Sequence, residues 1–435
     1  MSSNGWKEVK MGDVISFNPR ESIGKKQMAK KIAMENLKPF TKFIDQYELA
    51  PFNGGAKFRN GDTLLARITP CLENGKTSQV TILDNDEIGF GSTEFIVFRA
   101  EAGITDKDYI YYLSISPSLR EIAIKSMIGS SGRQRVQQRV LKDINLSLPP
   151  LSEQKAIAAT LSCLDDMIEL NNRTNQVLEE MAQAIFKRWF VDFEFPNEDG
   201  EPYKSSGGEM VDSQLGEIPR GWRIGRFNDL IEKTISGDWG KEDKKGNYTQ
   251  KVLCIRGADI PEIEKGNKGN APYRFILPKN FETKELSANE MIVEISGGSP
   301  TQSTGRCALI SNELIDAYDV PMVCTNFCRA VRFKTTNYSH FGYRYWKYLY
   351  NQDVFFQYEN GTTGIKNLDL TGILDKELIN LPSIELLVDF KKMSEVCIKS
   401  ICQNASESSN LSKIRDNLLP KLMSGEIRVP IEEVV

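Results

Sequence analysis

The stretch from Leu151 to Phe190 runs without a glycine or a proline, straight after Pro149 and Pro150. Ser152 can cap a helix there, and Glu153 puts negative charge in the first turn, where the helix dipole favours it. Alternating steps of three and four from Ile157 reach Leu161, Leu164, Ile168, Asn171, Asn175, Leu178, Ala182, Ile185 and Trp189. This is the seam of a coiled-coil helix, apolar except at its centre. At roughly 1.5 Å per residue such a helix is a rod of about 60 Å. It cannot bury its stripe alone, so it needs a partner.

A partner lies in the same chain. Residues 383–423 repeat the pattern, again after a segment ending in Leu-Pro (Leu148-Pro149 and Leu381-Pro382). An offset of 233 gives Phe390, Cys397, Ile401, Asn404, Ser408, Leu411, Leu418 and Leu422 among the seam residues of the second helix. The polar pair Asn171/Asn175 thus falls on Asn404/Ser408, at the midpoint of both helices. A central polar layer fixes register, and buried polar groups need partners. Only in an antiparallel pair is the midpoint the one place where each helix meets its own counterpart, so an antiparallel coiled coil is expected. Pro420 should break or bend the second helix near its end.

The rest of the chain is duplicated too. Gly5-Trp6 recurs as Gly221-Trp222, and Leu64-Leu65-Ala66-Arg67-Ile68-Thr69 as Met291-Ile292-Val293-Glu294-Ile295-Ser296. Ser92-Thr93-Glu94-Phe95 recurs as Cys324-Thr325-Asn326-Phe327, and Ser131-Gly132 as Thr363-Gly364. The offset grows from 216 to 227 and 232, and to 233 at the Leu-Pro segments and long helices, as extra loop residues accumulate in the second copy. A repeat this long points to two copies of one globular unit. Each mixes short strands (63–68 and 94–99; 291–295 and 327–333) with helices (106–114; 341–351). The expected fold class is α+β: two mixed α/β domains separated by two long helices, with pseudo-two-fold internal duplication. The expected boundaries are 1–150 for the first domain, 151–190 for the central helix, 191–221 for a Pro/Gly/Ser/Glu-rich linker, 222–382 for the second domain, and 383–435 for the distal helix and tail.

Composition excludes several kinds of chemistry. The single histidine, His340, cannot build a His-dependent triad or a multi-His metal site within one chain. The close pairs Cys324/Cys328 and Cys397/Cys402 lack zinc spacing, and the cysteines read as reduced thiols. Gly297-Gly298-Ser299 is not followed by the lysine of a P-loop. No Asn/Asp-Pro-Pro-aromatic motif is present to hold a target amine. Asn197-Glu198-Asp199 and Glu201 read as solvated linker charge. No apolar run is long enough to span a membrane, and a cytoplasmic location is expected. The net charge of −4 conceals an excess of 21 basic over 17 acidic residues in the first 150, and a DNA-binding module needs only one basic face.

Several blocks in order carry a family resemblance. Leu148-Pro149-Pro150-Leu151-Ser152-Glu153-Gln154-Lys155 is similar to the central repeat of the specificity subunits of type I restriction–modification systems. Ile414-Arg415-Asp416-Asn417-Leu418-Leu419-Pro420-Lys421-Leu422-Met423-Ser424-Gly425-Glu426-Ile427 resembles their distal repeat. Arg67-Ile68-Thr69-Pro70-Cys71-Leu72-Glu73-Asn74-Gly75-Lys76, Gly91-Ser92-Thr93-Glu94-Phe95 and Ile295-Ser296-Gly297-Gly298-Ser299-Pro300-Thr301-Gln302 resemble their target-recognition domains. The resemblance implies a non-catalytic adaptor. Each domain would read one half of a split, asymmetric duplex DNA site, and the helices would set the spacer. Two adenine-N6 methyltransferase subunits would dock on the chain, with translocase–nuclease subunits joining for restriction. S-adenosylmethionine, ATP and magnesium would belong to those partners. An alternative is a structural adaptor that joins protein partners without reading DNA.

The strongest candidate for DNA contact is the loop from Gly129 to Arg139, with Arg133, Gln134, Arg135, Gln137, Gln138 and Arg139. Arg suits guanine O6/N7 and phosphates, and Gln suits adenine N6/N7. Its equivalent is residues 361–367, with Lys366 and Asn367. Lys76 and Arg306, single cations after glycine turns, are further candidates. Trp239 is open between a loop anchor and a DNA contact. Ile185, Phe186, Trp189 and Phe190 hold more aromatic surface than a two-helix seam covers, and are candidates for partner docking.

Overall fold

The computed structural model describes residues 5–299, 301–361 and 365–430. The chain forms two compact units, residues 1–170 with 408–435, and residues 171–407.

In the first unit, Lys7–Lys10 pairs antiparallel with Asn145–Leu148, so the globular part begins and ends on neighbouring strands. One sheet has the order Ile15–Phe17, Phe95–Ala100, Thr63–Ala66, Thr77–Gln79, all antiparallel. A second has the order Glu48–Pro51, Met28–Ile32, Gly89–Gly91, Ala56–Phe58, with one parallel pairing, Met28–Ile32 against Gly89–Gly91. The helix Lys107–Ile115 starts at Asp106, whose carboxylate accepts the amide hydrogens of Asp108 and Tyr109. It packs Tyr109, Tyr111 and Tyr112 into the core, beside Ile157 and Leu161 of the first long helix and Leu419 and Leu422 of the second.

The second unit repeats this plan. Arg223–Arg226 pairs with Leu378–Leu381. The main sheet has the order Ile231–Ser236, Cys328–Phe333, Met291–Glu294, Cys307–Leu309, and its companion has the order Tyr273–Ile276, Gln250–Ile255, Met322–Cys324. The one parallel pairing recurs at the matching place, Gln250–Ile255 against Met322–Cys324. The helix after the sheet, Thr336–Asn351, again fills the core, with Phe341, Tyr345 and Trp346. Residues 191–221, read as a connection from their composition, carry a hairpin of Met210–Ser213 and Gly216–Pro219. Phe195 stacks on both Tyr203 and Trp222, with ring centroids 4.6 and 5.4 Å apart.

The paired ladders correct the sequence alignment at two places. Leu64 opposes Val97, and Ile292 opposes Ala330, so Leu64 corresponds to Ile292 rather than Met291. The amide of Arg67 donates to the Glu94 carbonyl, as that of Ile295 does to the Phe327 carbonyl, both at 2.9 Å. Glu94 therefore corresponds to Phe327, not Asn326. The matched aromatics Phe95 and Phe327 pulled the alignment one residue out of register. A one-residue slip in a strand exchanges its two faces.

The long helices span Leu151–Phe190 and Ile384–Ser424. Within the first unit their segments run antiparallel, with Asp165 meeting Arg415. Within the second, Asn171 Nδ2 donates to Glu407 Oε2 at 3.1 Å, Asn175 Nδ2 to the Ile401 carbonyl at 3.1 Å, and Asn404 Nδ2 to Asn175 Oδ1 at 2.8 Å. These segments are antiparallel too, and Asn175 and Asn404 bond each other across the pair. Pro420 does not end the second helix, which continues to Ser424. The proline removes a single donor in a turn that Leu419 and Leu422 bury in the core, and that packing holds the helix together.

Candidate nucleic-acid interface

The loop nominated by its Arg/Gln content stands on a small ribbon. Ile128 and Arg135 exchange backbone hydrogen bonds of 3.1 and 2.9 Å, closing residues 129–134 into a tip. The ribbon is stitched to the segment after the Thr63–Ala66 strand: Val136 N donates to the Arg67 carbonyl at 2.8 Å, and Thr69 N to the Gln134 carbonyl at 3.0 Å. Gly129 sits at φ +139°, and a Cβ there would lie 2.8 Å from the Arg133 carbonyl oxygen. Only glycine suits that position.

The second unit builds the same ribbon. Glu359–Asn360 pairs with Lys366–Leu368, which pairs with Ser296–Gly297. Leu368 N donates to the Ile295 carbonyl at 2.9 Å, matching Val136 and Arg67. Gly361 has the same φ of +139°. Thr362, Thr363 and Gly364, with Pro300, lie outside the described residues. So do the Thr363-Gly364 repeat and part of the second nominated loop.

The nominated side chains fall into two groups. Arg133 is exposed at the tip, with Gln134 beside it partly exposed, and Arg139 is exposed 3.8 Å from Asp143. These are free to meet a polyanion. The others are tied into the protein. Arg135 grips Glu94 with Nε at 3.0 Å and Nη2 at 2.7 Å, and Arg67 approaches the same carboxylate at 3.3 Å. Arg135, and less strongly Arg67, hold the Glu94 carboxyl below its ordinary range. Gln137 Nε2 donates to the Arg135 carbonyl at 3.3 Å, and Gln138 Oε1 accepts from Asn18 at 3.1 Å. Lys76 Nζ donates to the Met34 carbonyl at 2.9 Å. In the second unit Lys366 pairs with Glu359 at 2.6 Å, Asn367 Oδ1 accepts from Ser296 Oγ at 2.5 Å, and Arg306 forms a two-pronged pair with Glu294 at 2.8 and 2.6 Å. Trp239 is stacked by the Arg274 guanidinium at 4.0 Å.

Sequence reasoning missed Glu94 as the carboxylate that orients Arg67 and Arg135. Its signal was available only as a Glu beside a strand start, far along the chain from its partners.

The aromatic end of the first long helix is core rather than docking surface. Phe186 and Phe190 are fully buried, and Ile185 and Trp189 pack partly buried against the same cluster. Phe190 meets Phe341 and Phe390, both with centroids 4.9 Å away. The second unit's own helix, Thr336–Asn351, supplies the rings that a helix pair alone could not.

His340 is buried, with Nδ1 2.9 Å from Ser394 Oγ and Nε2 3.2 Å from Asn289 Oδ1. Burial, with Arg344 and Lys391 nearby, pushes its pKa down to about 3, although Glu395 lies 3.8 Å from Nε2. It is a structural residue. Among the described residues no cluster of three or more His, Cys, Asp or Glu could hold a metal ion, and no helix is long and apolar enough to cross a membrane.

The chain is similar to several known proteins. A family model described as the type I restriction modification DNA specificity domain matches residues 3–180. The type I restriction enzyme MjaIX specificity subunit of Methanocaldococcus jannaschii is 27% identical over 330 residues, covering 74% of this chain and 69% of the relative. The HindI specificity subunit of Haemophilus influenzae is 26% identical over 426 residues, covering 85% and 87%. The crystal structure of the type I restriction-modification S subunit from M. genitalium shares the fold, with a TM-score of 0.54 at 14% identity and 97% of each chain covered.

Proposed function

Because this chain belongs to the DNA-specificity subunits of type I restriction–modification systems, which carry no catalysis of their own, we propose that each of its two units reads one half of a split, asymmetric duplex site. The observation that carries this reading is the ribbon built twice, on the same backbone hydrogen bonds, after the same central strand of each main sheet. In the first unit the ribbon presents Arg133 and Gln134 at an open tip, with Arg67 and Arg135 held behind it by Glu94. Arginine and glutamine offer the donors that base edges and phosphates accept. Lys366, Asn367 and Arg306 lie on or beside the second ribbon, oriented by Glu359, Ser296 and Glu294. Side chains held in this way lose less freedom on binding.

In this reading two adenine-N6 methyltransferase subunits dock on the chain in the cytoplasm, and translocase–nuclease subunits join for restriction. S-adenosylmethionine, ATP and magnesium are held by those partners. The long helices act as a ruler for the gap between half-sites. The expected division of labour follows residues 1–150 for the first half-site and 222–382 for the second.

The test is to map methylated adenines in a genome carrying this chain and its methyltransferase partner. Exchanging residues 1–150 for those of a relative should change one half of the methylated site and leave the other half and the gap intact. Methylation at unchanged sites would overturn the reading. Adding one heptad to both helices should lengthen the gap alone.

A further inference from the structure

The two ribbons differ at the residue that follows each sheet's tight turn. In the first unit that residue is Glu94, bracketed by Arg67 and Arg135. Its backbone equivalent in the second unit is Phe327, where the neighbours are Ile295 in place of Arg67 and Asn367 in place of Arg135. A charged triad has become an uncharged one on the same scaffold. Phe327 is 57% exposed, and Ile365, on the adjoining ribbon, is 63% exposed. An exposed phenyl ring is unfavourable in water unless something covers it. The Phe327 carbonyl accepts from both Ile295 N at 2.9 Å and Ser296 N at 3.2 Å, which fixes the turn that presents the ring.

We infer that Phe327 is a specificity-determining residue of the second unit, packing on the 5-methyl group of a thymine in the major groove. The inference rests on the reading that both ribbons face DNA. Thymine's methyl is the apolar group that base edges offer in that groove, and an apolar side chain is its natural partner. The two halves of the site are then read by different chemistry: guanidinium hydrogen bonding in the first unit, and apolar contact at the matching point in the second.

Deoxyuridine differs from thymidine only by that methyl, so the test needs no damage to the protein. The full chain, reconstituted with its methyltransferase partner, is titrated with duplexes carrying the mapped site. Each thymine of the second half-site, on either strand, is replaced in turn by uracil. At one position the replacement should weaken binding about fourfold, the equivalent of one buried methyl at roughly 0.8 kcal/mol. Phe327→Ala should bind the thymine and uracil duplexes equally at that position, and should keep its requirement for the first half-site. Uracil tolerated at every position, or a thymine preference that survives Phe327→Ala, overturns the assignment while leaving the two-reader function standing. A wild-type complex with no base preference anywhere in the second half-site removes the two-reader function itself, and the assignment with it.

Discussion

The first unit holds its long-helix segments with a buried ion pair, and the second holds its own with rings packed mostly edge to face. Asp165 and Arg415 meet at 2.5 Å with both side chains almost wholly buried, and Tyr112 donates to the same carboxylate at 2.6 Å. The corresponding work in the second unit falls to Phe186 and Phe190, lodged among Phe341, Tyr345 and Phe390. Its ion pairs lie beside that cluster, where Glu179 joins Arg344 and Lys347, both at 2.5 Å. The strand order of the main sheet, the parallel pairing in its companion and the loop ribbon are common to both units, while the side chains that lock them are not. Duplication has kept the backbone hydrogen bonds, which depend little on sequence, and has let packing find two solutions.

Two substitutions of similar size separate these solutions. Arg415→Met leaves Asp165 buried without its cation and should cost about 3–5 kcal/mol, read by denaturant unfolding. Replacing both partners, Asp165→Leu with Arg415→Met, should recover most of that loss, because the penalty lies in the orphaned charge. Phe186→Ala removes a fully buried ring and should also cost about 3–5 kcal/mol, with no partner replacement able to restore it. A small stability loss for Phe186→Ala, with weakened methyltransferase binding instead, would return this residue to the docking surface expected from sequence.

Mild acid, between neutrality and about pH 5, should sharpen the contrast by acting on the second unit through His340. Its folded pKa, about 3, lies below the ordinary value of 6.5, so the unfolded chain binds the proton more tightly. The stability it contributes is present above about pH 6.5 and is lost as pH falls toward 3. Between neutrality and pH 5 the loss should be about 2 kcal/mol, and His340→Gln should flatten it. Glu179, held at about 2 by Arg344 and Lys347 against the cost of its own burial, adds a further loss only below its ordinary 4.5. An acid slope unchanged by His340→Gln would place the sensitive group elsewhere.

The long helices and the duplication could be read from sequence because each is a periodic pattern, and the central asparagines disclosed the antiparallel pairing for the same reason. Strand register could not be read. The Thr63–Ala66 and Met291–Glu294 strands are buried along their whole length, so neither shows the alternation that fixes a face. The match of Phe95 with Phe327 then decided the alignment, and decided it one residue out. The Arg/Gln loop was visible as composition, but its division into free and tied side chains was not. That division depends on Glu94, brought to Arg135 across 41 residues by the main sheet. The rings at Phe186 and Phe190 were visible as an excess, but their cover comes from the Thr336–Asn351 helix, which the helical seam does not include.

The smallest expected effect tests the free group against the tied group within the first ribbon. Arg133 is exposed, with no side-chain hydrogen bond or ion pair to the described residues, so Arg133→Ala should leave unfolding within about 0.5 kcal/mol of the parent. If it meets a phosphate, the slope of log affinity against log salt should fall by about one, with base preference intact. If it meets a base edge, one position of the first half-site should relax by about 1–3 kcal/mol of discrimination. Arg135→Ala should behave differently, because it frees Glu94 to repel the backbone of the duplex. It should weaken binding more than one lost contact would, and Glu94→Gln in the same chain should restore part of the loss. Equal effects of the two arginine substitutions, with no rescue, would mean that Glu94 orients nothing and that the ribbon binds DNA only as a patch of charge.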